Sequence, residues 1–240
     1  MLIFFDLETT GLNEDDKVVS LGLVVMSNTQ SHTVYELINE GKKISPIASS
    51  INHITNEMLV GKTSCIESEI YTILNSNNSL ETTLVVHNAK FILEKLQSCG
   101  IEWKGAVIDT LKVTKHLIPE CEQFSLQILR YELKLYKKEN EELKFLCINE
   151  HINAHHSLSD AVVIKLLYSY LLEMVNHTKM QNLTFENVLI QKFTFGKYKD
   201  EYIEDILLRD RAYLIWMLEK LVDIDEDLRY SIDYYLKGEI

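Results

Sequence analysis

The sequence predicts a mixed α/β protein, in which helices flank a five-stranded sheet and a small, mainly helical module follows at the C-terminus. Two observations support this fold class. Three apolar or alternating segments near the N-terminus are typical of an antiparallel meander, and short apolar segments then alternate with helical patterns. Beyond a polar stretch without clear periodicity, apolar residues recur at helical spacing towards the end of the chain.

The strands are predicted from apolar composition and from alternation. The five predicted strands cover 2–7, 17–26, 32–38, 84–86 and 106–108. The first is a short apolar run typical of a buried strand, the second is apolar and β-branched, and the third alternates in a way that indicates one solvated face. Polar turns at 11–16 and 27–31 are expected to join these three strands.

The helices are predicted from apolar residues at intervals of three or four. The segment 44–59, which contains Pro46, is interpreted as loop, short helix, loop and short helix. Further helices are expected at 66–74, 90–98, 110–117, 125–133 and 157–175. Ser157 or Ser159 lies near the start of the last of these, as expected of a serine that caps a helix.

The chain is predicted to divide into a main domain, a linker and a C-terminal module. These segments cover 1–176, 177–190 and 191–240. The module contains predicted helices at 212–222 and 227–236, and it is interpreted as a small folding or docking module. The basic, aromatic turn Lys197-Tyr198-Lys199 leaves a contact with nucleic acid open, because charge and stacking together hold single strands.

The composition excludes several classes of protein. Acidic residues number 36 and basic residues 24, and the resulting net charge of −12 argues against a passive nucleic-acid coat. That charge does not exclude an enzyme that reaches nucleic acid through metal ions, which supply positive charge locally. A hydrophobic content of 46% excludes global disorder.

The cysteines and the apolar segments indicate the compartment. The four cysteines show neither zinc-site spacing nor a disulfide framework, which indicates thiols in a reducing cytoplasm. The N-terminus lacks the pattern of a signal peptide, and the longest apolar run, 161–172, is too short for a bilayer and contains Lys165. We therefore expect a soluble, cytoplasmic protein without membrane contact.

Two groups of polar residues stand out for their chemistry. Asp6 and Glu8 follow an apolar strand, and alternation places both carboxylates on one face, where they repel each other unless a cation neutralises them. Asp160 opens an apolar helix, and the pair His155-His156 precedes it. Each group also has a structural interpretation, as a solvated turn or as a helix start whose acid favours the dipole.

Taken together, three motifs resemble the DnaQ-like DEDDh exonucleases. They are FDLETTGL (5–12), VVHNAKF (85–91) and HHSLSDA (155–161), and the resemblance covers about residues 1–175. The stretch FTFGKYKDEYIEDILLRDRAYLIWMLE resembles the C-terminal module of exonuclease X-like proteins. The resemblance implies an RNase H-like fold and metal-dependent hydrolysis of phosphodiester bonds from a 3′ end, which releases nucleoside monophosphates.

The resemblance also implies the catalytic residues and the cofactor. Asp6, Glu8 and Asp160 would bind Mg²⁺ or Mn²⁺, two ions of which flank the scissile phosphate in the family. His155 would deprotonate the attacking water, because it precedes Asp160 by five residues, as in the family motif. His156 precedes Asp160 by four residues and stays an alternative.

The implied partners are 3′ ends of DNA or RNA, single-stranded by expectation. The residues implied in substrate binding are Thr9, Thr10, Gly11, Leu12, His53, Ile54 and Asn88. Gly11 would let the backbone approach the terminal nucleotide, Leu12 would wedge against its base, and His53 and Ile54 would line the nucleobase pocket. Each has an alternative structural role in a loop or a cap. The choice of DNA or RNA, and a protein partner or homodimer, stay open.

One position departs from the family pattern. The family's second motif continues with an aspartate, the fourth acid of the metal site, whereas this chain has Ile92. Isoleucine cannot ligate a metal. Glu94, two residues on, would point away on a helix and could replace the missing acid only if the segment begins as a loop. This departure keeps a second hypothesis open, a weak or inactive relative that binds nucleic-acid ends or serves as an interaction subunit.

Overall fold

A five-stranded mixed sheet forms the centre of the chain. The computed structural model describes residues 1–27, 30–222 and 224–238. The strands are β1 (Leu2–Thr9), β2 (Val18–Met26), β3 (Ser31–Leu37), β4 (Thr83–Val86) and β5 (Ala106–Asp109). Their order is β3-β2-β1-β4-β5, with β1 antiparallel to β2 and parallel to β4. This sheet confirms the predicted fold class; the predicted turn at 27–31 includes residues 28 and 29, which lie outside the described residues.

One face of the sheet carries a large hydrophobic cluster. Ile3, Phe5 and Leu7 of β1 are buried there, in a cluster that α2 (Glu69–Ser76) and α3 (Ala89–Ser98) complete. Burial of each such side chain stabilises the fold by about 1.5–3 kcal/mol. The apolar run of β1 therefore anchors the strand from this side.

The opposite face of β1 carries the acids. Phe4 packs edge-on against Tyr168 of α7 (Ser157–Leu172), with ring centroids 5.4 Å apart. Because side chains alternate along a strand, Asp6 and Glu8 share the face of Phe4. Both acids therefore lie on the side of the sheet that α7 covers.

Before the C-terminal module, the helices agree with the sequence except in three places; within the module, the helix at Ile203–Arg209 was also not predicted. The remaining helices before the C-terminal module are α1 (Pro46–Asn52), α4 (Thr110–Leu117), α5 (Leu126–Glu132), α6 (Glu139–Phe145) and α8 (His177–Phe185). The second short helix expected within 44–59 does not form, and residues 56–61 adopt turns. The Asn56 side chain bonds both the backbone N–H and the carbonyl of Ile44, which holds this segment in a loop.

The second and third differences are helices α6 and α8, which were not predicted because most of their residues are polar. Helix α6 was not expected, because only Leu143 and part of Glu139 are buried along it. Helix α8 occupies the first half of the predicted linker at 177–190. Its Met180 and Leu183 are buried, whereas most of its other side chains are polar, so composition alone suggested a linker.

A glycine of β2 permits the close approach of α7 to the sheet. Gly22 pairs with Asp6 across the strands. A Cβ atom at this position would overlap the backbone of Ser157 and Leu158 at the start of α7. Beside it, the hydroxyls of Ser20 and Ser157 are hydrogen-bonded at 3.1 Å. The small residue thus brings the first turn of α7 next to the acids of β1.

We expect Gly22→Ala to lower the free energy of unfolding by about 1–3 kcal/mol, because an added methyl group must displace backbone atoms. Urea denaturation measures the loss. Thr33→Ala, at a half-buried position of β3, is the matched control and is expected to cost less. If both variants unfolded at the same urea concentration, the close approach of α7 to β2 at Gly22 would be contradicted.

The chain divides into two compact units. The first comprises Met1–Thr114 and Cys121–Thr184, and the second comprises Lys115–Glu120 and Phe185–Ile240. The helices of the C-terminal module are α9 (Ile203–Arg209), α10 (Arg211–Lys220) and α11 (Glu226–Lys237). Among the described residues, no helix combines the length and the apolar composition that a membrane crossing needs.

The basic turn of the C-terminal module is tied into the module's own structure. Tyr198 is buried, and its hydroxyl donates to a carboxylate oxygen of Asp210 at 2.5 Å. The Lys197 ammonium bonds the same oxygen at 3.1 Å and lies 4.5 Å from the centre of the Tyr198 ring. These contacts favour the folding interpretation of this turn.

Candidate active site

Three side chains from two elements meet at one edge of the sheet. Glu8 near the end of β1, Asp160 in the first turn of α7 and His155 just before that helix each offer a ligand atom, and these atoms lie within 4.8 Å of one another. Asp160 is buried, with an exposed fraction of 5%. Three of the four residues predicted for catalysis are therefore brought together.

Asp6, the fourth, belongs to the same site. Burial raises its pKa well above the usual range, and the charges of Asp160 and Glu8 raise it further. Burial, followed by the charge of Asp160, raises the pKa of Glu8 to about 8. The pKa of Asp160 is raised to about 7 by burial. The three acids repel one another and are partly removed from water, which a bound cation would relieve. Their carboxylate oxygens are the hard donors that Mg²⁺ and Mn²⁺ prefer, so these residues fit a divalent cation.

These shifts predict how the stability of the metal-free protein depends on pH. The unfolded chain loses its protons near the ordinary values of 4.5 for Glu8 and 3.8 for Asp160, whereas the folded protein keeps them to about 8 and about 7. The folded state binds more protons in this window, so these groups lower stability as pH rises from about 4 to 8.

We therefore expect the melting temperature in EDTA to fall between pH 5 and pH 8. Added Mn²⁺ at pH 8 should raise it again, because a ligand that binds only the folded state stabilises by about 2.7 kcal/mol at 100 times its dissociation constant. The variant Glu8→Gln serves as control and should show a smaller fall with pH. If the melting temperature of the wild-type chain fell with pH no more steeply than that of Glu8→Gln, the raised pKa of Glu8 would be contradicted.

The two histidines have different surroundings. His155 adopts a left-handed backbone conformation with φ of 59°, and its ring lies with Glu8 and Asp160. The ring of His156 stacks on Tyr35 with a centroid distance of 4.1 Å, and its Nδ1 accepts from the backbone N–H of Ser159 at the start of α7. The geometry thus favours His155 at the acids and gives His156 a capping role.

The loop after β1 is held in place by hydrogen bonds. The Thr9 hydroxyl donates to the carbonyl of Gly11 at 2.5 Å, and the buried Thr10 hydroxyl donates to Asp16 at 2.7 Å. Leu12 is 88% exposed. The loop therefore presents one large apolar side chain to solvent.

A buried lysine that the sequence analysis did not single out braces the same loop. Lys95 of α3 is 4% exposed, and its ammonium donates to three backbone carbonyls, those of Asn13, Glu14 and Asp16, at 2.8 to 3.2 Å. Three acceptors satisfy all three ammonium protons, which explains how a lysine is tolerated in the interior. No sequence motif signals this contact.

The other predicted substrate residues occupy different environments. His53 ends α1 with a left-handed backbone, φ 59°, and its charge helps to lower the pKa of His155, after the larger effect of burial. Ile54 is buried, 3% exposed, in a small apolar cluster. Asn88 precedes α3 with φ 73°, and its N–H donates to the Asp109 carboxylate at 2.9 Å. Of these three, His53 is the one with a described interaction with a member of the clustered group, namely His155.

Ile92, which stands at the position of the family's fourth acid, is part of the hydrophobic core. Ile92 is 2% exposed and packs in the cluster of Phe5 and Leu7, on α3. Glu94 follows on the same helix and is exposed. The described residues that form the group of potential metal ligands do not include Glu94. The structure thus offers no carboxylate from α3 to this group.

Comparisons with known proteins match both the main domain and the C-terminal module to known families. The family model of exonucleases matches residues 3–168, and the model of the exodeoxyribonuclease X-like C-terminal domain matches residues 193–222. Exodeoxyribonuclease 10 of Escherichia coli (strain K12) is 27% identical over 241 residues, which cover 99% of this chain and 100% of that protein. DNA polymerase III subunit epsilon of Treponema pallidum is 30% identical over 188 residues, 74% of this chain and 78% of the relative.

A solved structure supports the fold. Exonuclease X in complex with 5′ overhanging duplex DNA superposes with a TM-score of 0.58 at 24% identity, covering 77% of this chain and 99% of that one. The family match extends over both β1 and α7, the elements that carry the clustered acids. The chain therefore belongs to the DnaQ-like exonuclease family, whose members are hydrolases that act on phosphodiester bonds.

Proposed function

We propose that this protein is a divalent-metal-dependent 3′-5′ exonuclease that releases nucleoside monophosphates from single-stranded nucleic-acid ends. The observation that carries the proposal is the meeting of Glu8, His155 and Asp160 within 4.8 Å, beside Asp6. Acids held this close without a counter-charge are costly for folding, which favours a role in binding a cation.

The acids supply the binding site for the ion. Asp6, Glu8 and Asp160 would hold Mg²⁺ or Mn²⁺ through their carboxylate oxygens. When bound, such an ion activates water and stabilises the negative charge that develops on the phosphate. The chain has Ile92 where the family has a fourth acid, so we propose that these residues hold one ion well and a second one poorly.

His155 acts as the general base. His155 is exposed at the rim of the site, and its partial desolvation, followed by the charge of His53, lowers its pKa below the ordinary value of 6.5. The neutral ring therefore predominates at pH 7 and can accept a proton from the attacking water. The backbone N–H of His155 donates to Asp160 at 3.1 Å, which links the position of the base to that of a metal ligand. His156 is engaged in capping α7 and is not needed for this step.

The exposed loop after β1 suits a strand end better than a long duplex. Leu12 stands out into solvent, and the net charge of −12 disfavours binding along a polyanion. The relative exodeoxyribonuclease 10 is named for DNA, whereas another structure of this fold recognises a histone mRNA stem-loop. DNA and RNA therefore both belong in the test.

A second function is favoured by one observation. Ile92 is buried in the apolar core, and without a second ion the leaving group loses stabilisation worth several kcal/mol, or several powers of ten in rate. In that case the protein would bind nucleic-acid ends and turn over very slowly, or serve as an interaction subunit.

A time course on denaturing gels tests the proposal. The substrates are 5′-labelled single strands of DNA and RNA, incubated with Mg²⁺, with Mn²⁺ or with EDTA. We expect a ladder that shortens one nucleotide at a time, that stops in EDTA and that is lost in Asp6→Ala. Binding of labelled ends without shortening, in folded protein, would favour the second function. If the protein neither shortens nor binds these strands, both the exonuclease proposal and the end-binding alternative are overturned.

A further inference from the structure

We propose that Gln127 is a positioning residue for the metal ligand Asp160, and that Arg130 and Glu139 hold Gln127 in place. The side-chain amide of Gln127, on α5, donates to Asp160 Oδ1 at 2.6 Å. Its other end, the amide oxygen, accepts from the Arg130 guanidinium at 3.2 Å. This inference rests on the proposed function, because it assigns a role within the same site.

The orientation of the amide follows from its two partners. Arginine has only donors, so the oxygen of Gln127 must face Arg130, and the NH₂ group must then face Asp160. The two residues are three positions apart on α5, which places them on one face of the helix. A single rotamer of Gln127 therefore satisfies both contacts.

Arg130 is itself held firmly. Its Nε and Nη2 atoms donate to the two carboxylate oxygens of Glu139, at 2.5 and 2.8 Å, in a paired geometry. The exposed fractions are 7% for Arg130 and 9% for Glu139. Because Glu139 neutralises the guanidinium, the chain of contacts ends at Asp160 with a neutral donor instead of a full positive charge.

A neutral donor has a specific advantage at a cation site. A guanidinium bonded directly to Asp160 would compete with the metal for the carboxylate charge, whereas an amide orients the carboxylate and leaves its charge available. The second oxygen, Oδ2, accepts from the backbone N–H of His155 at 3.1 Å. Each oxygen thus has one fixed donor and keeps lone-pair capacity for a cation.

The test compares Gln127→Leu and Gln127→Glu with the wild-type chain. Mn²⁺ affinity is measured by titration calorimetry on protein freed of metal, and kcat and KM are measured on a 5′-labelled oligonucleotide. We expect both variants to bind Mn²⁺ about 10- to 100-fold more weakly and to lose kcat with little change in KM. Ile128→Ala, at an exposed neighbour on α5, should leave both quantities unchanged.

If Gln127→Leu binds Mn²⁺ as tightly as the wild-type chain, the inference is overturned. This holds even if the melting temperature falls, because a purely structural role predicts lower stability with unchanged Mn²⁺ affinity. Should Gln127→Leu fail to fold, Gln127→Met, which keeps the length without the donor, decides the same question. If the wild-type chain shows no hydrolysis, the proposed function fails, while the calorimetry still decides whether Gln127 positions Asp160.

Discussion

Asp160→Asn is expected to slow hydrolysis by at least about 10³-fold, which corresponds to a loss of about 4 kcal/mol of transition-state stabilisation. The change is nearly isosteric, so it removes the charge while it keeps the shape of the side chain. Asparagine retains an oxygen, but it is a weaker ligand and it no longer balances the charge of a divalent cation. A single-turnover measurement with saturating Mn²⁺ gives the rate directly.

The same variant should be at least as stable as the wild-type chain when metal is absent. Burial raises the pKa of Asp160, and its charge raises the pKa of both Asp6 and Glu8, so the ionised site is unfavourable for folding. Thermal unfolding in EDTA at pH 8 separates this effect from activity. An Asp160→Asn variant that is inactive because it is unfolded would contradict this expectation, since the variant should be folded and inactive.

A surface acid provides the control. Glu94→Gln changes an exposed carboxylate on α3 that lies outside the group of potential ligands. Its rate should remain within a factor of two or so of the wild-type rate, because surface changes of this kind cost about 0.5 kcal/mol or less. A large loss in this control would mean that Glu94 replaces the missing acid.

Most of the fold could be predicted because its signals are local. The apolar run of β1 predicts both the strand and its buried residues, whereas the alternation of β3 predicts the strand but not its burial, since its residues are exposed or half-buried without alternation. Helix α8 was missed because its two buried apolar residues, Met180 and Leu183, stand among polar ones. Helix α6 was missed for the same reason, since it too buries little apolar surface.

The site could be predicted in part. Asp6, Glu8 and Asp160 belong to short motifs in which residue type and spacing are visible along the chain. The contacts that hold Asp160 and the loop after β1 are not visible along the chain, because Gln127 lies 33 residues from Asp160 and Lys95 lies 79 residues from Asp16. The five-residue spacing to Asp160 already favoured His155 over His156, and the structure adds a physical reason, because the His156 ring is stacked on Tyr35 of β3.

Ile92→Asp is expected to raise the rate of hydrolysis about tenfold or more with saturating Mn²⁺, because it restores the acid that the family motif has at this position. The expected gain corresponds to about 1.4 kcal/mol or more of transition-state stabilisation. The change has a cost, since Ile92 is 2% exposed in the hydrophobic core. Removing buried methyl groups and adding a polar group there should lower the free energy of unfolding by about 2–5 kcal/mol in the absence of metal.

Ile92→Asn separates the two effects. It has nearly the same size and polarity as aspartate, so its cost in stability without metal should be similar, but it brings no charge to a cation. We therefore expect Mn²⁺ to raise the melting temperature of Ile92→Asp more than that of Ile92→Asn, and only the aspartate to hydrolyse faster than the wild-type chain. If both folded variants turn over at the wild-type rate or below it, position 92 does not limit catalysis, and the acids of β1 and α7 suffice with the ion that they hold.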